Sequence, residues 1–165
     1  MKYAAKTSVS SENSRAEIER TLRRFGASGF FYAWEGKQAI IGFAIADRRM
    51  KFSLPLPDQA DEQFTHTAHF GYERSREAAL KEWEQSCRER WRALALGIKA
   101  KLVMVESGIT TLEEEFLAHI ILPDGKTVGH FMQPQIQTAY DSGRMPKLLM
   151  DGFHNPLIFT LKRDG

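Results

Sequence analysis

The sequence predicts an α+β fold: a short helix, a three-stranded antiparallel meander, one long amphipathic helix, then smaller helical or hairpin elements. Two patterns carry this prediction. Between Phe30 and Leu54, three runs of alternating apolar residues are separated by turn-sized gaps. From Arg74 to about Glu106, apolar residues recur every three or four positions instead. With 165 residues, 42% hydrophobic and 27% charged, the chain suits one domain with a core of its own. The expected division is a flexible N-terminus at 1–13, a single domain at 14–150 and an irregular segment at 151–165.

The first helix is expected over 14–25. Ser14-Arg15-Ala16-Glu17 reads as a capping box, Ile18, Leu22 and Phe25 form the apolar stripe, and Gly26 supplies the stop. In the meander, Phe30, Tyr32 and Trp34 alternate with Phe31 and Ala33, and Glu35-Gly36 makes the first turn. Gln38 to Ala46 follows with Ile41, Phe43 and Ile45 on one face. Asp47-Arg48 makes the second turn, and Met50, Phe52 and Leu54 alternate with Arg49, Lys51 and Ser53. Pro55 and Pro57 end the third strand. The connection 55–73 carries His66 and His69 and is long for a structureless loop, a length that usually marks function or disorder.

The long helix places Leu80, Trp83, Cys87, Trp91, Leu94, Ile98, Leu102 and Val105 on one stripe, and Gly108 ends it. Thr110 and Thr111, three residues before Glu113 and Glu114, open a further helix. Pro123-Asp124-Gly125-Lys126 is a turn. It joins a hairpin of 118–122 with 126–131 or follows a longer helix. A last helix is expected from Pro134 to Asp141, stopping at Gly143, with an edge strand at Leu157–Leu161.

Several chemistries find no support. One cysteine, Cys87, excludes an internal disulfide and a cysteine-based zinc cluster, and fits a reducing compartment. No phosphate-binding loop, dinucleotide fingerprint, nucleophile elbow or zinc-protease motif is present, so no cofactor or metal is expected. The start of the chain has no apolar run like that of a signal peptide, and no stretch approaches a membrane span. A cytoplasmic location is therefore expected. The net charge of +2 leaves charge placement to decide on partners.

That placement is informative on the long helix. At 100° per residue, Arg74, Lys81, Arg88, Arg92 and Lys99 fall within about 40° of one another, a ridge about 37 Å long beside the apolar stripe. Such a ridge suits a phosphate backbone. The ordinary alternative is a solvated face, with Glu77, Glu84 and Glu89 neutralising part of it. Arg49 and Lys51 add charge to the outer face of the sheet. That face also carries Phe31, Ala33, Gly42 and Ala44, where small residues let a strand approach and an aromatic can stack a base. The alternative there is a second helical layer.

A separate polar cluster joins Glu115, four residues before His119, to His130, and is the candidate catalytic group. The alternative is an acidic first turn that stabilises the helix dipole. His66-Thr67-Ala68-His69 departs from the order used by two-histidine phosphoesterases and has no second copy.

The order helix (Ser14–Phe25), meander (Phe30–Leu54), long helix (Arg74–Glu106) resembles the core of single-strand annealing proteins of the Rad52 and Redβ type. The resemblance covers about half the chain and rests on topology, with no diagnostic residue motif. It implies binding of a DNA backbone by the sheet and adjoining helix, and assembly into homo-oligomers. The segments 14–20 and 111–120 are also similar to stretches of small bacteriophage and prophage proteins, which implies a bacterial host cell.

The expected function is therefore binding of single-stranded DNA without sequence preference, extending to strand annealing in phage recombination. The second expectation is an interaction module for a host protein or small signalling molecule, with Trp34, Tyr32 and the loop histidines around a pocket. The third is an enzyme using Glu115, His119 and His130.

Overall fold

A computed structural model describes residue 4 and residues 6–145 of the chain. The expected strand Leu157–Leu161 lies outside them. The order of elements is the predicted one: helix α1 (Ser11–Arg24), strands β1 (Gly29–Glu35), β2 (Gln38–Ile45) and β3 (Arg48–Pro55), a single turn α2 (Glu62–Thr65), helix α3 (Arg76–Glu106), a short α4 (Leu112–Phe116) continued by a 3₁₀ turn (Leu117–His119), and α5 (Val128–Ser142). Among the described residues no helix is long and apolar enough to cross a membrane.

Helix α1 begins at Ser11, ahead of the expected cap. Ser10 is the N-cap, its hydroxyl accepting from the Asn13 N–H at 3.1 Å, and Ser14 is fully buried inside the helix. The Ser14–Glu17 capping box does not form, because Ser10 offers the same chemistry one turn earlier. Glu17 instead pairs with Arg92 of α3. At the other end the expected stop holds. Gly26 turns left-handed (φ 84°), and the amides of Gly26 and Ala27 donate to the carbonyls of Arg23 and Leu22, a Schellman closure.

The sheet runs β1-β2-β3, antiparallel throughout. The second turn is Ala46-Asp47, both left-handed (φ 48° and 62°), with Arg48 already in β3 rather than in the turn as expected. Two left-handed residues match the twist of a tight hairpin. Ile41, Phe43, Ile45, Met50 and Phe52 share one buried cluster with Ile18 and Leu22 of α1, Trp91, Ala95, Ile98 and Leu102 of α3, and Phe116 of α4. All the helices in that cluster lie on one face of the sheet. Leu80, expected in the buried stripe, is exposed, and Ala95 takes a place in it.

Helix α3 is capped by Ser75, which accepts from the Ala78 N–H. It closes on Gly108 (φ 68°), with the Ile109 N–H donating to the Met104 carbonyl at 3.1 Å. Thr111 and Glu114 form the predicted capping box of α4. The Pro123–Lys126 turn forms, the Leu122 N–H donating to the Lys126 carbonyl at 2.7 Å. The expected hairpin strands shrink to one bridge, Ile121–Thr127. A second bridge, Met50–Ile120, seats this segment on the outer edge of β3, and β1 has no described partner besides β2. Helix α5 starts at Val128, six residues before the expected Pro134. Thr127 caps it, and Pro134 stands in its interior. Gly143 ends it as expected (φ 63°).

Candidate functional site

The face of the sheet turned away from α1 and α3, on which Ile40 is buried and Phe31, Ala33 and Arg49 are exposed, is built by strand alternation. Its side chains fall in rows across the three strands: Gly29, Ala44 and Arg49, then Phe31, Gly42 and Lys51, then Ala33, Ile40 and Ser53. Phe31 lies across Gly42, so that a Cβ at position 42 would land inside the Phe31 ring. Glycine is thus required for the close approach, and it leaves the ring resting on the central strand with 49% of the residue exposed. Arg49 is exposed and Lys51 half-buried. Neither makes an ion pair among the described residues.

Beyond β3 this face runs into a pocket of about 490 Å3. Lys51 and Ser53 form one wall, and His119, Lys126, His130 and Gln133 line the rest. No carboxylate lines it. Gly129, near the start of α5, packs close to the Ala118 carbonyl, which holds α5 against the 3₁₀ turn. The His119 ring stacks on Phe52 at a centroid distance of 3.8 Å. Burial pushes the His119 imidazole below its ordinary pKa, and the charge of Lys101 adds to this, against a hydrogen bond to the Lys51 backbone. The ring is therefore neutral at pH 7, and Lys51 and Lys126 bring positive charge to the pocket.

The predicted basic ridge does not form a continuous surface. Arg74 precedes the helix, and its guanidinium donates to the carbonyls of Gln63, Phe64 and His66, which pins the 62–66 turn. Arg88 is held by Gln85 at 3.0 and 2.8 Å and lies 3.7 Å from Glu84. Arg92 is paired with Glu17 across the α1–α3 contact. Lys81 and Lys99 are exposed. The helical wheel aligns the four residues that lie on α3, but not Arg74, and does not show the partners on α1 and on the loop. The ridge residues and the pair Arg49 and Lys51 also lie on opposite sides of the sheet, since α3 packs on the face away from Arg49.

The Glu115, His119, His130 group divides as well. Both histidines line the pocket, but Glu115 turns to α3, where Lys101 donates to its carboxylate at 3.1 Å and to its carbonyl at 2.8 Å. Among the described residues no group of three or more histidine, cysteine or acidic side chains is placed to hold a metal ion. Cys87 is buried, which pushes its thiol pKa up and leaves it without thiolate character. Of the residues expected around a second pocket, Trp34 lines a cleft with Trp83 and Trp91, whereas Tyr32, His66 and His69 are outside its wall. The loop that carries the histidines is tied by its own backbone, Thr67 to Tyr72 and Arg74 to Thr65.

Lys126 and Gln133 escape sequence reasoning. Lys126 is visible there only as a turn residue, and nothing local says that the turn abuts β3. No family model, curated protein or solved structure matches the chain.

Proposed function

We propose that the face of the sheet turned away from α1 and α3 binds single-stranded nucleic acid without sequence preference. The observation that carries this reading is Phe31, half exposed across Gly42, in one row with Lys51 and beside Arg49. An aromatic ring accepts any base by stacking, and flanking cations take the phosphates. The pocket beyond β3 continues the same charge through Lys126. Strand annealing by an oligomer in phage recombination, in the cytoplasm of a bacterial host, extends this reading. It rests on the resemblance in element order noted from the sequence.

Anisotropy of a labelled oligothymidylate, titrated at low and moderate salt, tests the reading. Binding at low salt is expected, falling as salt rises with a slope of about −0.7 per phosphate neutralised. Phe31→Ala removes the stacking surface, and a loss of about 5-fold or more is expected from a stacking contribution of about 1–3 kcal/mol. Gly42→Ala displaces the ring and weakens binding similarly, but adds nothing in the Phe31→Ala background. Absence of binding at low salt overturns the proposal.

A further inference from the structure

All three tryptophans of the chain line one cleft of about 340 Å3, formed by the N-terminus of α1, the end of β1 and the first half of α3. It lies on the helical side of the sheet, away from Phe31. Trp91, 2% exposed, belongs to the core beneath it. Trp83 is oriented by its indole N–H, which donates to the Pro57 carbonyl at 2.8 Å. Trp34 stands at the rim with 60% of its surface exposed. Trp34 thus leaves a large aromatic surface open beside a concave site, with two more indoles next to it.

The polar rim has matched charges. Arg15 lies 3.1 Å from Glu12, and Arg88 lies 3.7 Å from Glu84, with Glu12 72% and Glu84 50% exposed. The Arg15 guanidinium already sits over the rings of Tyr32 and Trp91, at 4.9 and 5.5 Å, so the aromatic wall is not an empty cage for a cation. Two carboxylates offset two guanidinium groups, so the cleft does not select an anion either. It offers an aromatic wall with adjacent hydrogen-bond acceptors and donors at the edge.

The geometry points to a purine nucleoside site in this cleft. The base stacks on Trp34, and its edge meets the Glu84 carboxylate and Nη1 of Arg88, the guanidinium nitrogen that Gln85 leaves free. A purine edge sets N–H donors beside N7 and carbonyl or ring-nitrogen acceptors, and that pattern matches a carboxylate next to a guanidinium. The volume stands at the small end of the roughly 300–1,000 Å3 of small-molecule sites, which suits one nucleoside rather than a polymer. The site is independent of the nucleic-acid surface proposed above.

Tryptophan emission reports on the cleft and the core directly beneath it, because the chain has no tryptophan elsewhere. Guanosine and adenosine are expected to quench it saturably, and uridine and ribose to do so more weakly or not at all. Calorimetry on Trp34→Ala should show purine affinity lower by about tenfold or more, the scale of one stacking interaction. Glu84→Gln, a substitution at the solvated rim, should weaken purine binding while leaving the urea midpoint unchanged, and it serves as the test if Trp34→Ala does not fold. Trp34→Ala should leave oligonucleotide binding intact, and Phe31→Ala should leave nucleoside binding intact. Linear, unsaturable quenching, equal response to all four compounds, or displacement of the nucleoside by oligothymidylate overturns the proposal.

Discussion

His119 joins two environments. Its ring lies on Phe52 against the core, and its edge faces the basic pocket. Burial there disfavours the charged imidazole, so the folded chain holds this proton less tightly than the unfolded chain does. Below the ordinary value of 6.5 the unfolded state therefore binds more protons, and stability falls as the pH drops from 6.5 through the folded pKa. Urea midpoints measured between pH 7.5 and 5 should decline more steeply for the wild type than for His119→Gln. Parallel slopes would assign the acid sensitivity to another group. Comparing slopes rather than levels separates this effect from the loss of stacking on Phe52. The residue itself is visible in the sequence, but its partner is not. The four-residue spacing to Glu115 suggests a carboxylate-oriented imidazole. The helix ends at Phe116, however, so Glu115 and His119 do not share a helical face.

At the scale of elements, local chemistry is a good guide where an end is closed by one residue. Gly26, Gly108 and Gly143 all take the left-handed stop expected of them, because few other residues adopt that conformation cheaply. It misleads where several residues offer the same cap, as Ser10 and Ser14 do, and where Pro134 looks like a helix start although Thr127 lies upstream. Strand alternation reads correctly across all three strands because a buried face enforces it. One weak point in α3 gives a direct check. Gly97 is exposed inside the helix, and a Cβ there meets no atom within 4 Å. Gly97→Ala should therefore stabilise the chain by about 0.5–1 kcal/mol, read as a rise in the urea midpoint. A lower midpoint would mean that this part of α3 is covered by something beyond the described residues.

For the whole molecule, the sheet is a partition. Arg49, Lys51 and Lys126 are on or beside one face, whereas Lys81 and Lys99 ride on a helix packed against the other. A helical wheel and a strand pattern, each correct, could not show that their two basic sets point apart, because that depends on which face α3 covers. The separation predicts distinct salt behaviour. Replacing Arg49 and Lys51 by Gln should flatten the slope of oligonucleotide affinity against salt by about 0.7 for each phosphate no longer neutralised. The Lys81→Gln, Lys99→Gln pair should leave the slope unchanged, and an equal effect of both pairs would argue for binding that wraps the chain. The edges of the sheet are as unequal as its faces. The outer side of β3 is engaged by Ile120 and Ile121, the latter donating its N–H to the Arg49 carbonyl at 2.7 Å, while β1 has no described neighbour beyond β2. Head-to-tail growth by strand addition needs two open edges, one to give and one to receive. Here the described chain offers one. Joined edge to edge, two such sheets meet about a two-fold axis as a continuous six-stranded sheet, and with both β1 edges consumed the addition terminates.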